Sequence, residues 1–206
     1  RAPGTNCDRE TEFAFEQAGG EAERVHINRL LEQPDQLHQY QILCVPGGFS
    51  YGDDIAAGRI LASKIRSHLP ELLAAFRDAD KLILGICNGF QVLMQTEVLL
   101  PTCLDGQRAA TLAANDSGKF EDRWVQLWVA NQHCPMLRGI ESIYLPVAHA
   151  EGRFVSRDAA AWETMERNQR MSHDGFSQRI AACEYGTGSE NVAWGYQTGA
   201  DVVDGW

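Results

Sequence analysis

The chain has 206 residues, 44% hydrophobic and 22% charged, which is enough for one ordinary globular domain with a buried core and too apolar for a disordered chain. With 18 Lys+Arg against 28 Asp+Glu its net charge is −10, so it lacks the basic footprint of a nucleic-acid binder. The most apolar stretch, near Leu82 to Leu100, is interrupted by Asn88, Gln91, Gln95 and Glu97 and does not read as a membrane span.

The sequence opens Arg1-Ala2-Pro3-Gly4-Thr5-Asn6, without an initiator Met or an apolar targeting segment, so it reads as cut into at the N-terminus rather than secreted. Residues Asp8 to Ala18, with Asp8, Glu10 and Glu12 at the start and Gly19-Gly20 at the end, predict a first helix. Val25-His26-Ile27 predicts a short strand, and Gln41 to Val45 a clearer one stopped by Pro46-Gly47-Gly48. Ile60 to Ala79 predicts a helix broken at Pro70. A buried strand at Lys81 to Ile86 leads into a helix from Gly89 to Leu99. This alternation predicts an α/β fold with an open, doubly wound, mostly parallel sheet of the flavodoxin type, whose ligands sit at the carboxyl ends of strands. Both glycine-rich breaks fall at such ends. Further strands are predicted at Arg123–Val129 and Ser142–Ala148. The tail from 166 to 206 is poor in Leu, Ile, Val and Phe and reads as a divergent or non-native extension of a single 1–206 domain.

The six cysteines, Cys7, Cys44, Cys87, Cys103, Cys134 and Cys183, include no C-x-x-C pair. Neither a disulfide scaffold nor a zinc site is expected, and reduced thiols of a cytoplasmic enzyme fit the spacing. One of them stands out. In Gly85-Ile86-Cys87-Asn88-Gly89-Phe90-Gln91 a buried strand meets a helix through a turn flanked by small residues. A nucleophile on such an elbow projects above the sheet edge. At a helix N-terminus the dipole and free N–H groups lower a thiol's pKa and can hold an oxyanion. Pro46-Gly47-Gly48-Phe49-Ser50-Tyr51-Gly52-Asp53 offers a second flexible turn from which a backbone N–H could serve the same oxyanion, or a simple strand-to-helix connection.

Together with Ala2-Pro3-Gly4-Thr5-Asn6-Cys7-Asp8, Asn115 to Trp124 and Leu145-Pro146-Val147-Ala148-His149-Ala150-Glu151-Gly152, these runs resemble the class I (triad) glutamine amidotransferases. Within them the chain is similar to the glutaminase subunits of phosphoribosylformylglycinamidine synthases of purine biosynthesis. The resemblance extends to about residue 160. It implies that Cys87 attacks the side-chain amide of glutamine, that the N–H groups of Gly48 and Asn88 form the oxyanion hole, and that Gln91 contacts bound glutamine. It also implies an ATP-dependent synthetase partner that receives the ammonia. No G-x-x-x-x-G-K-[ST] run occurs, so ATP and magnesium are expected on that partner, and no cofactor or metal in this chain.

The family's triad base and its orienting acid come from a His-Pro-Glu motif near the C-terminus, which this sequence does not contain. The only histidine after residue 166 is His173. His149-Ala150-Glu151 has a His-x-Glu spacing that would put both side chains on one face of a strand. It matches a different family motif and reads as site wall or partner contact rather than a substitute dyad. Without an evident base, a weak glutaminase is expected. The alternatives are a catalytically impaired partner-binding module of the same fold and another cysteine hydrolase, the latter disfavoured by the Gly-Gly-Phe-Ser-Tyr-Gly-Asp run.

Overall fold

The computed structural model describes residues 1–100, 108–129, 134–157 and 189–190. Two compact units divide the chain, Arg1–Val98 and Leu99–Trp206.

In the first unit, α1 spans Asp8–Gln17, with Asp8 and Glu10 in the first turn where they complement the helix dipole. It stops where Gly19 adopts a φ of +86° and its N–H returns to the Glu16 carbonyl. The strand expected at Val25–Ile27 is not formed. His26 is instead the N-cap of α2, Ile27–Glu32, its Nδ1 accepting from the Asn28 N–H at 3.2 Å. Two backbone contacts with Arg1 fix that segment: the Arg1 amino group donates to the Val25 carbonyl at 2.6 Å, and the Ile27 N–H to the Arg1 carbonyl at 2.8 Å. A local cap therefore overrides the β preference of Val and Ile.

Strand β1, Ile42–Val45, pairs in parallel with β2, Leu82–Gly85, in the register Ile42↔Leu82 through Val45↔Gly85. Between them run α3, Arg59–His68, and α4, Pro70–Asp78. Pro70 ends one helix and begins the next, since its missing N–H costs nothing at the first helical position. Helix α5, Asn88–Thr96, follows β2 and ends at Glu97, which takes a φ of +63°, three residues earlier than the apolar run suggests. Phe76, Ile83, Val92 and Leu93 are the most completely buried large side chains, so the core lies between β2, α4 and α5. A cavity of about 300 Å³ lies beside β1, lined by Val25, Ile27, Leu43, Ile65 and Leu93 among others.

Two antiparallel ladders lie within the second unit. Strand β3, Ala110–Ala113, pairs with β6, Arg153–Ser156, and β4, Glu121–Trp128, with β5, Ser142–His149. A two-residue strand, β7, lies at Ser189–Glu190. β4 alternates, burying Val125 and Leu127 while Trp124 and Trp128 stay exposed. Trp124 stacks on Tyr144 of β5 with ring centroids 5.1 Å apart. The chain is thus of mixed α/β class, with its parallel pairing in the first unit and antiparallel ladders in the second. No helix among the described residues is long and apolar enough to cross a membrane.

Candidate active site

Parallel pairing of Val45 with Gly85 brings the carboxyl ends of β1 and β2 side by side. Both glycine-rich turns leave from there. The Ile86 N–H donates to the Val45 carbonyl at 3.0 Å, extending the ladder one residue, and the chain then turns sharply. Cys87 carries that turn with φ +52° and ψ −115°, a conformation L-residues rarely hold and one that costs on the order of 1–3 kcal/mol. The helix begins at once, with the Phe90 and Gln91 N–H groups donating to the Cys87 carbonyl at 3.0 and 3.2 Å.

Small residues permit this turn. A Cβ on Gly85 would lie 2.7 Å from the Phe90 Cα, and one on Gly89 would lie 1.8 Å from the Val45 carbonyl oxygen. The first turn of α5 therefore rests directly on the end of β1. Buried Gly47 approaches from the other turn, where a Cβ would lie 3.4 Å from the Cys87 Cβ and 3.8 Å from the Cys7 Sγ. Gly48 takes a φ of +127°, and a Cβ there would meet the Asn6 nitrogen and the Gly4 oxygen at 2.7 Å each. Residues 3–6 run antiparallel to this turn: Thr5 bridges Gly48, the Phe49 N–H donates to the Gly4 carbonyl at 3.0 Å, and the Tyr51 N–H to the Pro3 carbonyl at 2.7 Å.

Cys87 keeps solvent access, and the Asn88 backbone N–H reaches its thiol. Burial of the sulfur nonetheless pushes its pKa up. The Asn88 N–H opposes the rise, and the nearby Cys7 and Asp53 add to it. None of these groups is a cation, so the lowered pKa expected from a helix N-terminus is not realised among the described residues: desolvation outweighs one N–H. Cys44, half-buried in β1, is pushed up to about 12 by burial and is chemically quiet.

Behind the elbow lies a polar network. The Asn88 side chain is buried, and its Oδ1 accepts from the Ser50 N–H at 3.1 Å and the Ser50 hydroxyl at 2.7 Å. Its Nδ2 donates to both Asp53 carboxylate oxygens at 3.0 Å and to the Gln91 Oε1 at 3.2 Å. Asp53 also accepts from the Gly58 N–H at 2.8 Å. Cys87, Gly47, Gly48, Asn88 and Gln91 thus gather at one end of the parallel pair.

Residues 1–179 match the family of CobB/CobQ-like glutamine amidotransferase domains. The chain belongs to that family. The match reaches beyond the motifs read from the sequence, into the stretch after residue 166. Among relatives of this amidotransferase chain, phosphoribosylformylglycinamidine synthase subunit PurQ of Dehalococcoides mccartyi is 51% identical over 156 residues, covering 75% of this chain and 61% of the relative. The PurQ subunit of Methanococcus maripaludis strain C5 is 41% identical over 167 residues, covering 81% and 62%. Among solved structures, one described as the structure of PurLQS from Thermotoga maritima superposes with a TM-score of 0.60 at 36% identity, covering 77% of this chain and 68% of that one. The amidotransferase chain spans about three fifths of the length of these first curated relatives.

In the second unit of the amidotransferase chain, His149 ends β5 and is buried, its Nδ1 paired with the Asn115 Oδ1 at 2.9 Å. Burial pushes its pKa down. Glu151 lies past the strand end and is exposed, so the two side chains do not share a strand face as their spacing suggests. Asn115 also donates to the His149 carbonyl at 2.8 Å and to the Lys119 carbonyl at 2.9 Å, which ties the Asn-Asp-Ser-Gly turn to the strand end. Cys103, Cys183, His133 and His173 lie outside the described residues, as does nearly all of the 166–206 tail. No group of three or more His, Cys, Asp or Glu that could hold a metal occurs among the described residues. Sequence reasoning missed Ser50 and Asp53 as site residues. The available signal was an Asn at the first position of a buried helix, a polar side chain that must find partners.

Proposed function

We propose that this chain is the glutamine-hydrolysing part of a phosphoribosylformylglycinamidine synthase, supplying ammonia for purine synthesis in the cytoplasm. The observation that carries this reading is Cys87, strained at a strand–helix elbow with the Asn88 N–H at its thiol and the Gly47-Gly48 turn alongside. The Cys87 thiolate attacks the carboxamide carbon of glutamine, and the carbonyl π electrons move onto oxygen. The N–H groups of Asn88 and Gly48 stabilise that oxyanion. Collapse of the tetrahedral species expels the amide nitrogen as ammonia once it has gained a proton, leaving a γ-glutamyl thioester. Water then attacks the thioester, releasing glutamate and restoring the thiol. Gln91, one helical turn past the elbow, contacts the bound glutamine.

The same reading takes residues 1–206 as one amidotransferase domain on a doubly wound, mostly parallel sheet. β1 and β2 form the part of that sheet that carries the site. Its partner is an ATP-dependent synthetase, where ATP and magnesium bind, and the likeness to a PurLQS structure supports such an assembly. His149 and Glu151 belong in this reading to the site wall or a partner contact.

An impaired, partner-binding form is favoured by one observation: burial raises the Cys87 thiol, and among the described residues none of the groups that shift it is a cation. General-base assistance is worth about 10²–10⁴-fold. The decisive experiment is glutamate release by this chain with the synthetase present, for wild type, Cys87→Ala and His149→Ala. Slow turnover that Cys87→Ala abolishes and His149→Ala leaves intact is expected. Release unaffected by Cys87→Ala would overturn the mechanism.

A further inference from the structure

Asp53 sits in a loop that is costly to hold. Tyr51, Gly52 and Asp53 take φ values of +54°, +73° and +52° in succession, two of them without glycine's freedom. Something must over-determine that conformation, and a buried hydrogen-bond network does so. The Asp53 carboxylate accepts from the Gly58 N–H at 2.8 Å and from the Asn88 Nδ2, while the Asn88 Oδ1 accepts from the Ser50 N–H and hydroxyl. Ser50 and Asn88 are each only 2% exposed. One buried amide therefore bridges two backbones: the turn that follows Gly48 and the residue whose N–H faces the Cys87 thiol.

The orientation of that amide is not free. An ionised carboxylate only accepts and a backbone N–H only donates, so Asp53 draws the Nδ2 end of Asn88 and leaves the Oδ1 end for Ser50. We propose that Asp53 is a positioning residue which, acting through the Asn88 side chain, holds the two oxyanion-binding turns at the spacing that glutamine attack requires. This rests on the glutaminase reading of the site and deepens it. Asp53 touches no reacting atom; its effect is transmitted by the amide it orients.

The donor–acceptor pattern dictates a swap experiment. In Asp53→Asn the oxygen of the new amide keeps the Gly58 bond and one Asn88 bond, while an N–H₂ replaces the second acceptor and faces the Asn88 N–H₂. Flipping Asn88 to relieve that contact points its N–H₂ at the Ser50 N–H. In Asn88→Asp the Ser50 bonds survive but two carboxylates face each other. In the double variant Asp53→Asn/Asn88→Asp the bonds to Ser50 and Gly58 keep their direction, and the bond between positions 53 and 88 re-forms with donor and acceptor exchanged, at unchanged net charge.

The readout uses two reagents on the full chain. A diazoketone analogue of glutamine must be oriented in the site before it alkylates Cys87, whereas iodoacetamide needs only the thiolate. Both rates are measured against pH, and their ratio, taken at the thiolate plateau, reports positioning separately from pKa. Loss of stability alone, followed by thermal melting, leaves that ratio unchanged. Misplacement of about 1 Å costs roughly 10²-fold in such aligned reactions. Each single variant is therefore expected to lower the ratio by about tenfold or more, and the double variant to return to within about threefold of wild type. Ser50→Ala, which removes only the hydroxyl bond, is expected to lower the ratio less than either single variant, and it carries the test if a single variant does not fold. Singles that keep the wild-type ratio, or a double variant no better than the worse single, would overturn the positioning role while leaving the glutaminase reading intact. A wild type whose Cys87 the diazoketone alkylates no faster than the exposed Cys7 would overturn that reading, and the positioning role with it.

Discussion

Gly89→Ala tests the packing on which the elbow depends. A Cβ at this position would stand 1.8 Å from the Val45 carbonyl oxygen, 2.5 Å from its carbon and 2.9 Å from the Pro46 oxygen. All three are backbone atoms, so no side chain can swing aside, and the start of α5 must retreat from the end of β1 by more than about an ångström to reach a tolerable contact. Overpacking of this kind costs about 1–3 kcal/mol. The larger effect falls on chemistry. The retreat carries Cys87 and the Asn88 N–H away from the Gly47-Gly48 turn, and displacement on that scale lowers the rate of an aligned reaction by roughly 10²-fold. Thermal melting and alkylation of Cys87 by the diazoketone analogue of glutamine measure the two effects together. Gly19→Ala is the control: its φ of +86° imposes local strain, but nothing lies within 4 Å of an added Cβ. It is expected to cost about 1 kcal/mol and to leave alkylation unchanged. A Gly89→Ala protein with wild-type melting and wild-type alkylation would refute the close packing of α5 on β1.

Leu93→Ala, which removes a fully buried side chain beneath the elbow, is expected to destabilise the first unit by about 2–5 kcal/mol in urea unfolding. Iodoacetamide alkylation of Cys87 in the isolated chain is expected to rise along a pH profile displaced above that of an ordinary thiol, and Asp53→Asn to shift it back downward, because burial and then the Asp53 charge are among the causes of the displacement; a profile centred below the ordinary thiol value would contradict this. His149 is held below its ordinary value of 6.5 by burial, so the unfolded chain binds the proton more readily. Its contribution to stability is therefore full above about pH 6.5 and lost as the pH falls through the folded value. Urea midpoints between pH 7 and 5 should decline less steeply in His149→Gln than in wild type, and equal slopes would count against it.

The elbow was legible in the sequence because its physics is local. A buried strand, a Cys between small residues and an immediate helix permit few other turns, and Gly85 and Gly89 proved to be the positions where no side chain fits. The break at Pro70 was legible for the same reason. What was not legible depended on distant partners. The strand read into Val25-His26-Ile27 yields to a cap and to contacts with Arg1, 24 residues away. Asn88 finds Ser50 and Asp53 across 38 and 35 residues, and no spacing rule announces such a pair. Strands β3 and β6 are four residues each, and Ala110-Thr111-Leu112-Ala113 carries little β signal until Arg153–Ser156 pairs with it. The direction of the Cys87 pKa was misread because a helix N-terminus is visible in sequence whereas burial of the sulfur is not.

The central claim is that Cys87 is the atom glutamine meets. Its most direct test is to treat the full chain with the diazoketone analogue of glutamine, with and without excess glutamine, and to map the adduct by peptide mass spectrometry. The account predicts an adduct on Cys87 ahead of the other five cysteines, suppressed by glutamine and absent in Cys87→Ala. Equal modification of Cys7 or Cys134, or modification of Cys87 that glutamine does not slow, would contradict it.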